Sequence, residues 1–216
     1  MPAFDKHNDK IAISLKRFKL LKKPGMFGKY FEPYIVTFAV DSNGPANPEI
    51  ELSTIPFAKF RVGQEKHFLN HGRFIYQPNN PGEYVAYSLL FMESEKDTRE
   101  VAGAVRNILQ EDETRTILKT LILAKPDLGG ALTVVQRATV LVASILEKQK
   151  DRELYFTDGA LLRDVNGPPY DIDTSTVDGN DFIECEISVI PLPQSDFESI
   201  SVGGDDWNYT ERISLS

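Results

Sequence analysis

One cysteine, Cys185, and one tryptophan, Trp207, occur in 216 residues, and histidine is confined to His7, His67 and His71. A single thiol excludes an intrachain disulfide and any thiol-rich metal cluster, so a packed core must hold the chain together. That cysteine usage suits a reducing compartment, and a cytoplasmic location is expected. Basic charge is also short, with 24 lysines and arginines against 32 acids and a net charge of −8. This balance opposes the phosphate neutralisation that underlies nucleic-acid affinity, so nucleic acid is not an expected partner. The start, MPAFDKHNDK, lacks the apolar core of a signal peptide. No segment is expected to reach the roughly 18 to 20 apolar residues that span a bilayer.

Catalytic signatures are missing as well. The chain has no G-x-S-x-G, no phosphate-cradling glycine loop and no dinucleotide fingerprint, and Gly28, Gly129 and Gly130 read as turn glycines. His67 and His71, in HFLNH, have the spacing of a helix-borne metal pair. Phe68, however, stands where a metalloprotease carries glutamate, and the flanking aromatics fit a strand or loop. Cys185 falls on the apolar side of an alternating stretch, where a thiol behaves as an inert small hydrophobe. No enzyme is supported by these residues, and a non-catalytic protein is expected.

What is present is an ordinary folding composition, 41 % hydrophobic and 26 % charged. A chain of this length buries roughly 70 % of its unfolded surface. Between Lys10 and Leu20 the apolar Ile11, Ile13 and Leu15 alternate with Ala12, Ser14 and Lys16, the period of a half-buried strand. Tyr34 to Val40 is rich in β-branched and aromatic residues and predicts a second strand, closed by the turn-forming run Asp41 to Pro48. Ile50 to Ile55, Lys66 to Tyr76 and Tyr84 to Met92 predict the third to fifth strands, with a turn from Gln77 to Gly82.

After Glu93 the period changes to that of a helix, with Val101, Val105 and Ile108, then Ile117, Leu118 and Leu121, then Val135, Thr139 and Val142. Pro126, Gly129 and Gly130 divide this into a helical hairpin, expected to cover an open sandwich edge. Strands return at Glu153 to Thr157 and Ala160 to Val165, around an Asp158-Gly159 pair that predicts a tight two-residue turn. Ile183 to Ile190 buries Ile183, Cys185, Ile187 and Val189 and wets Glu184 and Glu186, and is expected to be the final strand. The acidic stretch holding Asp171, Asp173, Asp178 and Asp181 reads as a polar loop. It lacks the glycine and closing glutamate of a helix-loop-helix calcium site.

The fold expected is mainly β with an α insertion: an antiparallel β-sandwich with a helical hairpin inserted after about the fifth strand. It is expected as a single domain over 1–190 with the insertion at 96–150, followed by an acidic, partly disordered tail at 191–216.

The run Phe31-Glu32-Pro33-Tyr34-Ile35-Val36 resembles the aspartate-proline-tyrosine strand opening of the calcium- and phospholipid-binding sandwich domains of the protein kinase C type. The resemblance implies a sandwich of similar shape. It also implies calcium as the cofactor and Glu32, Glu93, Glu95 and Asp97 as its ligands. In this chain glutamate replaces aspartate at position 32, and the later acidic loop expands into the helical region.

Three functions follow from these readings. The first is a non-catalytic binding or assembly module with a protein partner. The second is a calcium-dependent module for an anionic membrane, with Met26 and Phe27 beside Lys22 and Lys23 as its rim. The third is a toxin, immunity or other conflict-system protein whose helical hairpin rearranges. On the residues alone no cofactor is required.

Overall fold

In the computed structural model the chain is described over residues 4–22, 32–43, 49–57, 59–94, 103–105, 107–108, 110–124, 127–148, 150–192 and 209–214. Two antiparallel five-stranded sheets lie face to face, and a helical layer packs on the outer side of one. The first sheet is centred on β1 (Lys10–Leu20). On one side it carries β4 (Glu65–His67) and β5 (Arg73–Asn79), on the other β9 (Ile183–Leu192) and then β8 (Ser175–Gly179). The second runs in the order β10 (Tyr209–Ser214), β3 (Glu49–Pro56), β2 (Pro33–Asp41), β6 (Tyr84–Glu93), β7 (Arg152–Leu162). Two helices are α1 (Asp112–Ala124) and α2 (Leu128–Lys148), and residues 103–105, 107–108 and 110 are also helical. The mainly β fold with a helical insertion is therefore present.

The second sheet is buried on both faces, which explains why β2 and β6 read as nearly unbroken apolar runs. Tyr34, Val36, Phe38 and Val40 join the core under the helices, while Ile35 and Ala39 join the core between the sheets. Along β6, Ala86, Leu90 and Met92 face the helices and Val85, Leu89 and Phe91 face the first sheet. Each valine, leucine, isoleucine, phenylalanine or methionine among them contributes roughly 1.5 to 3 kcal/mol of burial.

Helix α2 meets this surface with small residues, Gly130, Ala131, Ala138 and Ala143, interspersed with Val134, Val135, Val142 and Leu146, so helix and sheet approach closely. Its start is capped by Asp127, whose Oδ1 accepts the Gly130 amide at 2.7 Å. The buried polar contact between α2 and β6 is a hydroxyl pair, Ser88 and Thr139, at 2.7 Å, and Gln136 Nε2 donates to Asp158 Oδ2 of β7 at 3.2 Å. The Thr139 hydroxyl donates to the Val135 carbonyl, so Ser88 is the donor in that pair.

Several expectations are corrected. The helical hairpin covers a sheet face, not a sandwich edge, because its apolar surface matches the even-numbered residues of β2 and β6. Helix α2 is long and apolar enough to cross a membrane by length and composition, contrary to expectation, and in this fold its buried face lies on the second sheet. The expected fourth strand is two strands: Asn70 and Gly72, with φ of 54° and 85°, turn the chain between β4 and β5.

Asp158-Gly159 is not a turn but the middle of the continuous strand β7, where Gly159 pairs with Tyr87. A Cβ at Gly159 would meet the Tyr87 hydroxyl oxygen at 2.6 Å and its ring carbons at 2.7 and 2.8 Å, so any side chain there would have to displace the aromatic lying across it. Part of the acidic stretch taken for a loop is β8, and Ile183–Leu192 is not the final strand, because Tyr209–Ser214 of the expected tail pairs with β3.

Candidate functional site

A β-bulge at Lys16 decides the chemistry of the first sheet. The pairing of β1 with β9 shifts between Leu15 and Arg17, so Ile11, Ile13 and Leu15 point inward before the bulge and Phe18 and Leu20 after it. The shift turns Arg17 to the outer face, between β4 and β9. There its Nη1 donates to Glu184 Oε1 at 2.8 Å and Glu65 Oε1 at 3.2 Å, and its Nε to Glu186 Oε2 at 2.8 Å. His67 Nε2 lies 2.9 Å from Glu65 Oε1, and Ser175 Oγ of β8 donates to Glu186 Oε1 at 2.6 Å.

The carboxylates raise the Arg17 pKa further above its already high ordinary value, Glu184 most and Glu186 next. Glu186 in turn sits below the usual carboxylate range, through Ser175 first and Arg17 second. Three carboxylates surround the guanidinium, and Lys19 stands in register between Glu65 and Glu184, so the face carries charges of both signs. Strand β8 borders it, exposed along its whole length and with Val177 54 % exposed.

The second acidic place is where β2 begins and β6 ends. Pro33 pairs with Glu93, and the Ser94 amide donates to the Glu32 carbonyl at 3.3 Å. Glu32 and Glu93 therefore lie at one end of the sheet, while Glu95 and Asp97 fall outside the described residues. Glu32 Oε1 stands 3.8 Å from Lys59 Nζ, and Glu93 pairs in register with Arg152. Among the described residues no group of three or more histidines, cysteines or carboxylates is placed to hold a metal ion.

The buried carboxylate at this end is Asp151, delivered by the way α2 stops. Lys150, left-handed at φ 77°, donates its amide to the Glu147 carbonyl, and the Asp151 amide reaches back to Leu146. Asp151 then accepts from the Tyr34 hydroxyl at 2.7 Å and the Ser94 hydroxyl at 2.8 Å. Burial and this carboxylate push the Tyr34 pKa far up.

The other residues singled out in the sequence do not converge. His67 ends β4, whereas His71 lies in the following turn, where its carbonyl accepts the Ser14 hydroxyl. Asp171 and Asp173 sit in a left-handed stretch with Tyr170, whose buried ring reaches the Gly82 carbonyl. Asp178 accepts from Thr157 at 2.9 Å, and Asn180 Nδ2 donates to the Leu154 carbonyl at 2.8 Å; together they tie the β8 end of one sheet to β7 of the other. Cys185 is fully buried, and burial first, then Asp178, pushes its thiol up to about 12.

The Arg17 array escaped sequence reasoning, although the wet side of β9 marked Glu184 and Glu186. No local pattern announces the bulge that turns Arg17 to meet them. Comparison with protein-family models, curated proteins and solved structures gives no match for this chain.

Proposed function

We propose that this chain is a non-catalytic binding or assembly module, a β-sandwich scaffold whose partner is another protein. The observation that carries the reading is the asymmetry of the two sheets. The second is sealed on both sides, by the first sheet and by α2, whereas the first presents the Arg17, Glu65, Glu184 and Glu186 array and the exposed strand β8 to solvent. A charged array of both signs beside an exposed valine suits a partner surface of complementary charge around a small apolar contact. The array offers acceptors and charge, while the chain's one thiol is buried.

Val177→Lys tests this reading, because it adds a cation beside Glu186 at a solvent-facing position of an edge strand. Affinity capture from the source cell is compared for the two chains. A partner retained by the natural chain and lost by Val177→Lys, at unchanged melting temperature, supports the reading. Equal retention by both removes this face as the contact surface.

A further inference from the structure

We infer that Asn166-Gly167 is a self-modification site, at which the backbone itself converts the asparagine to a mixture of aspartate and isoaspartate. The site stands apart from the contact surface beside β8. It lies on the connection from β7 to the buried Tyr170, in a bend whose residues 164–168 are all exposed. Both ends of that bend are held: the Arg163 amide donates to the Glu83 carbonyl at 2.9 Å, and the Pro168 carbonyl accepts the Asp171 amide at 3.1 Å. The middle is open. Among the described residues no hydrogen bond engages the Asn166 side chain or the Gly167 amide, and a Cβ at Gly167 would meet nothing within 4 Å.

These are the conditions for ring closure. Glycine has no side chain to hinder its nitrogen, and a free amide in an open bend swings to the neighbouring side-chain carbonyl without breaking a bond. The Gly167 nitrogen gives its proton to solvent base and bonds to Asn166 Cγ, while the bond from Cγ to the side-chain nitrogen breaks and ammonia leaves. Water then opens the cyclic imide. Addition at Cγ restores the ordinary backbone with an aspartate. Addition at the Asn166 backbone carbonyl leaves isoaspartate, with the chain running through Cβ. Water is the only co-reactant, and nothing is oxidised or reduced.

Either product is ionised at neutral pH and adds a negative charge. The new carboxylate appears two residues from Asp164, which pairs with Lys6 Nζ at 2.5 Å. Because the bend is open in the middle and held at both ends, it absorbs the added charge and the lengthened backbone without disturbing Tyr170.

The sequence supplies its own control, since Asn43-Gly44 is the same dipeptide. Gly44 lies outside the described residues, but Asn43 is held. Its Nδ2 donates to the Asn80 carbonyl at 3.3 Å, and its amide donates to Asp41 Oδ1 at 2.9 Å. The Asn43 side chain must give up its bond before it can react, and the net worth of one hydrogen bond corresponds to roughly two- to tenfold in rate.

The full-length chain is aged in mildly alkaline buffer at body temperature, folded and in denaturant. Peptide mapping by mass spectrometry follows both sites, and methyl transfer from S-adenosylmethionine by an isoaspartyl methyltransferase counts isoaspartate. Each site's rate in the folded chain is divided by its own rate in denaturant, which removes the effect of sequence neighbours. Asn166 should keep most of its rate, Asn43 should fall below it by about two- to tenfold, and the Asn166 product should contain both aspartate and isoaspartate. Asn166→Gln should remove most of the acidic species that charge-resolving chromatography detects, at unchanged melting temperature. Protection of Asn166 as strong as that of Asn43 overturns the inference. So does a product of aspartate alone, because direct hydrolysis bypasses the imide, and so does an Asn166→Gln chain that turns acidic as fast as the natural one.

Discussion

The Tyr34 hydroxyl and the Asp151 carboxylate, 117 residues apart, meet at 2.7 Å beneath the end of α2. This contact ties the start of β2 to the helix stop, and the Ser94 hydroxyl completes it from the end of β6. A buried carboxylate deprived of a donor costs about 1 to 3 kcal/mol. Tyr34→Phe should therefore destabilise by about that amount, and Asp151→Ala should do so by loosening the helical layer. Chemical denaturation of both single variants and the double variant measures it. Strictly additive losses would mean the two groups do not interact.

Gly159 and Tyr87 give a second test. Gly159→Ala places a methyl against the ring, and the loss should be about 1 to 3 kcal/mol, typical of overpacking. In a Tyr87→Ala background the same substitution should cost much less. An equal cost in both backgrounds would locate the strain elsewhere.

The Arg17 array predicts a specific acid response. Glu186 is held below its unfolded pKa, so its contribution is present above about pH 4.5 and is lost as pH falls through the lower folded value. Arg17→Met should lower the melting temperature at neutral pH, by an amount equivalent to about 1 kcal/mol or less because the pairs are partly solvated. The deficit should shrink in acid and in high salt. Scanning calorimetry between about pH 3 and 7 reads both.

Burial makes the opposite prediction at alkaline pH. Tyr87 is pushed up to about 12, by desolvation first, and Cys185 also to about 12. Both keep their protons when folded and lose them when unfolded. Their contribution is complete below the unfolded values, about 8.5 for cysteine and 10 for tyrosine, and declines as pH rises toward about 12. Cys185 should resist thiol reagents in the native protein and react at once in denaturant. Rapid native labelling would contradict its burial.

Much of this architecture could be read from the residues, and the exceptions have physical causes. β2, β6 and β9 announce themselves because a strand buried on one or both faces leaves a periodic or continuous apolar record. The helices were legible from their period, but not the face they cover, since that depends on the two-sided burial of β2 and β6. Asp158-Gly159 carries a turn signature in any local reading; only the Tyr87 ring on the neighbouring strand explains a glycine there. β10 was missed because six residues with two charges acquire strand character only through β3. In the site, Glu32 and Glu93 follow from the pairing of β2 with β6, whereas Arg17 depends on a one-residue bulge.

Helix α2 is packed as a fixed layer over the second sheet, which leaves the outer face of the first sheet open to solvent. Native-state hydrogen exchange on the full chain tests this most directly. It predicts that amides of β2, β6 and α2 exchange together, only through global unfolding, while those of β8 and β10 exchange through smaller local openings. Exchange of α2 well ahead of β2 and β6 would mean that the helices detach on their own, and would contradict the account.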